Sequence, residues 1–122
     1  MSIYIAPQYQ DNSDLKEGST VIAEVMDIKV LSNQKWGNES NVKVTEIIFK
    51  TDCNHIIVQK EKHSIAKVSV LNKLYSTITG SNIDTTLGFN TEEILNKTIK
   101  ATVSRYKGKI GYEGVKLIDF KN

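Results

Sequence analysis

Hydrophobic and polar positions along this chain follow a two-residue period in most places, interrupted once by a three- to four-residue period. Residues 19–31 form the first β-branched run. Because this run is longer than an average strand, we expect a bend or bulge near its middle. Residues 42–51 and 55–62 form two more such runs. Only Asp52–Asn54 separates them, which favours a tight hairpin.

The helical period follows the third run. Its apolar members are Ile65, Val68, Leu71, Leu74, Tyr75 and Ile78. Ser64 is placed to cap the start of this helix and Gly80 to end it. A short capped helical turn is expected further on, where Thr91 precedes Glu92 and Glu93.

Alternation returns in residues 98–106. Ile99, Ala101 and Val103 share one face of this run, and Lys100, Thr102, Ser104 and Tyr106 share the other. Residues 107–111 form a glycine-punctuated turn and residues 112–120 supply a last strand. These two strands are therefore predicted to form a second hairpin.

The order of elements, β-β-β-α-β-β, predicts a mainly β fold: an OB-like five-stranded barrel with a helix between strands 3 and 4. A chain of 122 residues has room for one hydrophobic core. Residues 1–18 are polar and contain Pro7. We expect them to form an N-terminal arm or edge strand, followed by an OB-like domain of residues 19–122.

Composition narrows the class of protein. A hydrophobic content of 39% and a charged content of 25% are ordinary for a globular chain. No apolar run approaches the roughly 20 residues that span a bilayer, and residues 1–10 lack the pattern of a signal peptide. We therefore expect a cytoplasmic protein with no membrane partner. Cys53 is the only cysteine, which excludes an intramolecular disulfide and a multi-cysteine zinc site. We expect no cofactor and no metal.

The formal net charge is only +2, but it is unevenly distributed. From residue 97 onward the charged residues are Lys97, Lys100, Arg105, Lys107, Lys109, Lys116 and Lys121 against Glu113 and Asp119. Such a basic block is expected of a protein that contacts phosphates, because lysine and arginine displace the counterions condensed there. A solvated charged face without a ligand is the other interpretation.

Aromatic residues coincide with the loops that an OB fold uses for oligonucleotides, which join strands 1 and 2 and strands 4 and 5. We interpret residues 32–41 as the first of these loops, exposed and carrying Trp36. Tyr106 and Tyr112 flank the second. Such rings can stack on unpaired bases of any sequence. A purely structural role is the alternative, since Trp36 can equally plug one end of a barrel.

Cations accompany these rings. Lys35 adjoins Trp36, and the two tyrosines are surrounded by Arg105, Lys107 and Lys109. The candidate nucleic-acid-binding set also includes Lys43, Lys60, Lys62 and Lys100. Cations of this kind would hold phosphates while the rings take the bases. Phe49 lies on strand 2 but is expected in the core.

Other motifs give little support to catalysis. The glycine-rich segment near the C-terminus lacks the Gly-Lys-Ser/Thr ending of a Walker loop, so we interpret it as a hairpin turn with positive-φ glycines. Those glycines are Gly108, Gly111 and Gly114. Cys53 and His55 lie close together in a hairpin and His63 lies a strand away, without marked partners for a nucleophile-base pair or a metal triad. We therefore expect no enzyme activity.

Three segments carry a family resemblance: VSVLNKLYSTITG in the helix, KTIKATVSRY in strand 4 and YEGVKLIDF in strand 5. In these segments and in the order of its elements, the chain resembles the small OB-fold single-stranded DNA-binding proteins of phages that infect Gram-positive bacteria. The resemblance spans most of residues 18–120. One departure is that residues 120–122 follow the last strand directly, without the acidic tail through which bacterial single-stranded DNA-binding proteins recruit partners.

The resemblance implies a protein that coats single-stranded DNA with little sequence preference during phage replication or recombination. It also implies a homo-oligomer in the host cytoplasm, with replication or recombination proteins as possible partners. Two other hypotheses stay open from the residues alone. One is an OB-like protein-interaction or assembly module that binds no nucleic acid. The other is RNA binding, which the 2′-hydroxyl would distinguish from DNA binding.

Overall fold

The computed structural model describes residues 14–107 and 113–122, and in these ranges the elements follow the chain order predicted above. They are β1 (Thr20–Trp36), β2 (Glu39–Thr51), β3 (Ile56–Lys62), α1 (Val70–Thr79), a 3-10 turn (Thr91–Glu93), β4 (Thr98–Lys107) and β5 (Glu113–Lys121). The mainly β prediction and the helix between β3 and β4 are thus confirmed. Of the predicted arm, residues 1–13 lie outside the described residues.

All five strands belong to one sheet in the order β3-β2-β1-β4-β5, and each neighbouring pair is antiparallel. β3 and β5 are therefore the two edges, and successive reversals make them run in the same direction. The described sheet is not closed into a barrel by a backbone ladder. The Gln59 side chain spans the gap: its Nε2 donates to the Leu117 carbonyl at 3.2 Å, and its Oε1 accepts from the Leu117 N–H at 2.8 Å.

The gap has a simple physical cause. Paired strands lie about 4.8 Å apart, which leaves no room for a side chain between their backbones. Because the Gln59 amide occupies this space and is only 3% exposed, β3 and β5 are held too far apart for direct pairing. The predicted five-stranded barrel is therefore seen only in part: the five strands form an open sheet, and the Gln59 amide joins its two edges. We call this junction the seam.

β1 is the long central strand. Its register with β2 shifts between Val25 and Asp27, which confirms the irregularity predicted near its middle. Before the shift, residues 20–24 pair with β4, whereas residues 23–36 pair with β2. The bulge thus lets one strand serve both halves of the sheet, as bulges commonly do where a strand must bend.

The core lies between one face of the sheet and α1. Phe49, predicted to be buried, is fully buried, and the alternation predicted for β4 is confirmed by Ile99, Ala101 and Val103. The other core residues are Leu15, Val21, Ala23, Val25, Ile47, Ile57, Leu71, Leu74, Ile83, Ile94 and Leu117. In residues 14–107 and 113–122, the helices are too short or too polar for any of them to traverse a lipid bilayer.

The helix begins later than predicted. Ser69, not Ser64, is the N-cap of α1, and its hydroxyl accepts from the Asn72 N–H at 3.1 Å. Ser64 instead accepts from the Ala66 N–H at 3.2 Å in a local turn, a conformation that serine favours as readily as a cap. Gly80 ends the helix with φ 81°, as predicted. Asn90, rather than Thr91, caps the 3-10 turn.

Residues 14–19 pack along the sheet. The Gly18 N–H donates to the Val103 carbonyl and the Val103 N–H donates to the Ser19 carbonyl, both at 2.8 Å. Leu15 is buried in the core, and Asp14 accepts from His55 Nε2 at 2.6 Å. The segment just before β1 is therefore fixed to the side of the sheet that carries the core.

Candidate nucleic-acid interface

The junction of β1 and β2 differs from the predicted exposed loop. β1 continues to Trp36 and β2 begins at Glu39, so only residues 37–38 form a turn. Trp36 pairs with Glu39 across this turn, in which Gly37 adopts φ 61°. The prediction of a loop was wrong because the paired strand ends in residues 32–41, here called the ribbon, are polar on both faces. They therefore show no alternation of hydrophobic and polar residues. Asn33 and Asn41 also adopt positive φ within the ribbon, and such residues are common in turns. Trp36 is therefore a half-buried side chain at a strand end, not a loop residue.

A groove of about 260 Å³ lies beside the seam. Its lining residues are Trp36, Gln59, Lys60, Glu61, Tyr106, Val115 and Lys116. We call it the seam groove. It brings together three of the residues predicted for nucleic-acid binding, namely Trp36, Lys60 and Tyr106, from three different strands. Gln59, which bridges the strands, is part of its wall, so the groove exists because the sheet is open here.

The Tyr106 side chain is positioned by a glycine on the neighbouring strand. Tyr106 pairs with Gly114 in the β4–β5 register, and a Cβ atom added to Gly114 would overlap the outer end of the Tyr106 ring. Gly114 therefore lies in β5 and not in a turn, and it is not among the positive-φ glycines. Because Gly114 has no side chain, the Tyr106 ring can lie directly over the backbone of β5. Tyr106 is 44% exposed in this position.

Lys116 was not singled out for the site, although the groove includes it. It pairs with Ser104 in the register of β4 and β5, and two-residue periodicity puts it on the same face as Gly114 and Tyr106. The alternation of side chains along β5 places Lys116 on the same face as Gly114, so the sequence alone could have identified this lysine. Glu61 also lines the groove, so the lining carries one carboxylate beside two lysines.

Two of the predicted lysines of β3 already hold carboxylates. Lys60 Nζ lies 3.8 Å from a Glu46 carboxylate oxygen, and Lys62 Nζ lies 2.8 Å from one of Glu39. Both lysine side chains are about half exposed, at 52% and 54%. The positive charge of these lysines is therefore partly neutralised by carboxylates of β2.

Arg105 lies away from the groove. It is in phase with Val103 on β4 and hence on the face opposite Tyr106. Its Nη1 donates to the Leu15 carbonyl at 2.7 Å, and its backbone N–H donates to the Glu17 carboxylate. Arg105 thus holds the segment before β1, so the structure does not bring this predicted residue to the seam groove.

The other predicted cations do not line the groove. Lys35 and Lys107 are exposed at the ends of β1 and β4, and Lys43 is exposed on β2. Lys100 pairs with Ile22 of β1 and Lys121 of β5, far along β4 from Tyr106. The predictions for Lys109 and Tyr112, and those for Gly108 and Gly111, fall outside the described residues.

The histidines have structural partners. His55 is buried, with Nε2 donating to Asp14 and Nδ1 lying 3.4 Å from the hydroxyl of Thr51, which is itself buried. His63 Nδ1 lies 2.7 Å from the Thr45 hydroxyl. Cys53 is exposed in the β2–β3 turn. Within residues 14–107 and 113–122, no three His, Cys, Asp or Glu residues are grouped to hold a metal ion.

Two groups with a shifted pKa lie outside the seam groove. The Tyr75 hydroxyl donates to Glu93 at 2.7 Å, and this hydrogen bond raises the pKa of Tyr75. The Asp84 carboxylate accepts from the backbone N–H groups of Leu87 and Thr86, which lowers the pKa of Asp84. Both contacts organise the segments that flank the 3-10 turn and α1.

Comparison with known proteins adds no family. No protein-family model matches the chain, and no curated protein matches it significantly. The function is therefore inferred from the fold and the seam groove.

Proposed function

We propose that this protein binds single-stranded DNA in the seam groove, on a fold of the OB type. An OB fold is a partly open five-stranded Greek-key barrel that binds oligonucleotides on strands 2 and 3 and on the loops joining strands 1–2 and 4–5. The five strands, the helix between β3 and β4, and two parallel edges joined through Gln59 support this assignment. The seam groove lies where that binding surface would be.

The observation that carries the proposal is the meeting of two rings from different hairpins. Trp36 comes from the β1–β2 hairpin and Tyr106 from the β4–β5 hairpin, and both line one groove with Lys60 and Lys116. Stacking of a base on an aromatic ring contributes about 1–3 kcal/mol and tolerates every base. Lysines beside such rings supply the charge that phosphates require.

One exposed lysine continues this surface beyond the groove. Lys62 lies two residues from Lys60 on β3 and so on the same face. In this proposal it contacts the sugar-phosphate backbone beside the stacked bases. The biological role would be to hold single strands exposed during DNA replication or recombination.

The test is a fluorescence titration that uses Trp36, the only tryptophan of the chain, as its own reporter. Oligo-dT should quench this fluorescence and bind with micromolar or tighter affinity that falls steeply with NaCl concentration. Duplex DNA and an RNA of equal length serve as competitors. Stronger competition by RNA would reassign the ligand, and no binding to any of the three would favour a protein-interaction module instead.

A further inference from the structure

We infer that Glu39 and Glu46 compete with DNA phosphates for the two lysines of β3 and so lower both the affinity and the salt sensitivity of binding. This inference rests on the proposed function. It concerns the regulation of that site and not its location. Both carboxylates belong to β2. In the absence of DNA, their negative charge takes the place that the phosphates would occupy beside the lysines.

The pairs occupy the face that DNA would contact. Glu46 lies directly opposite Lys60 in the β2–β3 register, with 3.8 Å between Lys60 Nζ and a carboxylate oxygen. Lys60 lines the seam groove, so a phosphate arriving beside Trp36 or Tyr106 meets a lysine that is already paired. Glu46 is only 17% exposed in its side chain, which keeps its charge close to the lysine.

The second pair involves the hairpin that carries Trp36. Glu39 stands opposite Trp36 across the β1–β2 turn, and its carboxylate reaches Lys62 of β3 at 2.8 Å. Lys62 is two residues from Lys60 on the same face. A phosphate that takes Lys62 must break this contact between the hairpin end and β3.

Both members of the Glu39–Lys62 pair are exposed, and in the Glu46–Lys60 pair the lysine is exposed. At least one charge of each pair therefore remains well solvated, which keeps the pairs weak. A phosphate can therefore displace either carboxylate, yet the lost contact and the repulsion between carboxylate and phosphate reduce the net affinity. The displaced carboxylate also takes up a cation from solution. This uptake offsets the release of a counterion from the phosphate. The slope of log affinity against log salt is therefore shallower than expected from the number of lysines that contact phosphates.

The experiment measures oligo-dT binding by fluorescence anisotropy over a series of NaCl concentrations. Wild type is compared with Glu39→Gln, Glu46→Gln and the double variant, and Glu92→Gln is the matched control, since it removes the same charge from the 3-10 turn. Each single variant should bind about two- to fivefold tighter at low salt. The slope of log affinity against log salt should steepen by about 0.7 for each lysine released.

A second variant separates release of a lysine from a general change in charge. Adding Lys62→Gln to Glu39→Gln should remove the gain, because the freed cation is then absent. Affinities and slopes equal to those of Glu92→Gln would overturn the inference while leaving the proposed function intact. If wild type and all variants fail to bind, both fall. If only the double variant binds, the inference holds and the wild-type protein is not a constitutive single-strand binder.

Discussion

The Gln59 side-chain amide of β3 bonds both backbone groups of Leu117 in β5, donating to its carbonyl and accepting from its N–H. The Gln59 side chain thereby forms the two hydrogen bonds that the backbone of a paired strand would form with Leu117. Both residues are buried, at 3% and 0% exposure. The Gln59 amide is therefore a direct link between the two sheet edges.

We predict that Gln59→Met, which keeps the volume and removes both hydrogen bonds, destabilises the protein. A buried polar group left without a partner costs about 1–3 kcal/mol, and this variant leaves two. Urea unfolding should show a clear fall in the midpoint concentration. Gln34→Met is the matched control, because the Gln34 side chain donates to the nearby Ser32 carbonyl at the exposed end of β1. Equal stability of the two variants would contradict a role for Gln59 in joining the edges.

Trp36→Ala should weaken oligo-dT binding about tenfold or more, since the loss of one stacking ring corresponds to about 1–3 kcal/mol. Trp36→Phe should retain most of the affinity because it keeps a ring in the groove. Anisotropy with a labelled oligonucleotide measures both variants without relying on tryptophan fluorescence. An unchanged affinity of Trp36→Ala would remove this residue from the site.

Gly114→Ala is predicted to weaken DNA binding through Tyr106. The new methyl group would occupy the space of the ring's outer end, so Tyr106 must turn away from its place in the groove. Tyr106→Ala should produce a similar loss, and combining the two substitutions should add little, because residues in contact are not independent. Fully additive losses would show that Gly114 affects binding independently of Tyr106. Ser104→Ala, on the same face of β4, is the control for a general effect of substitutions in this strand.

Lys116→Gln should lower the slope of log affinity against log salt by about 0.7, the value for one phosphate contact with a single strand. Lys73→Gln is the control for charge, since Lys73 is an exposed residue of α1. If both variants change the slope equally, the protein attracts DNA by overall charge and the groove has no special part in it.

The pH dependence of stability should include a contribution from Asp84. Its pKa is lowered from the ordinary value of 3.8 by backbone N–H donors. The folded state therefore binds the proton less well than the unfolded state, and the contribution is present above pH 3.8 and lost as the pH falls through the lower folded-state pKa. An NMR titration of the carboxyl carbon should give a midpoint below 3.8. Acid unfolding of Asp84→Asn should lack this contribution, whereas Asp52→Asn should retain it.

Local periodicity predicted much of this fold. In β4 one face is buried and the other is solvated, so Ile99, Ala101 and Val103 could be recognised from alternation alone. The ribbon around Trp36 could not, because neither of its faces is buried there. The helix start was misplaced because Ser64 and Ser69 both satisfy a nearby backbone N–H, and the sequence does not show which of them lies where the helical backbone begins.

The candidate site was predictable only in part. Placing Trp36 and Tyr106 near each other required only the order of the elements. Arg105 was included because it neighbours Tyr106 in sequence, although its phase with Val103 puts it on the opposite face. The contact between Gln59 and Leu117 joins residues 58 positions apart. A local sequence pattern cannot predict such a distant contact.

The central position of β1 has a consequence for the order of folding. Its pairing with β2, and that of β2 with β3, joins neighbours along the chain, whereas residues 20–24 must find partners at residues 98–102. Contacts between such distant positions are slow to form because a long loop must close first. The seam groove draws its walls from both sides of that late contact. We therefore expect the seam groove to form only after β4 has paired with β1, late in the assembly of the sheet.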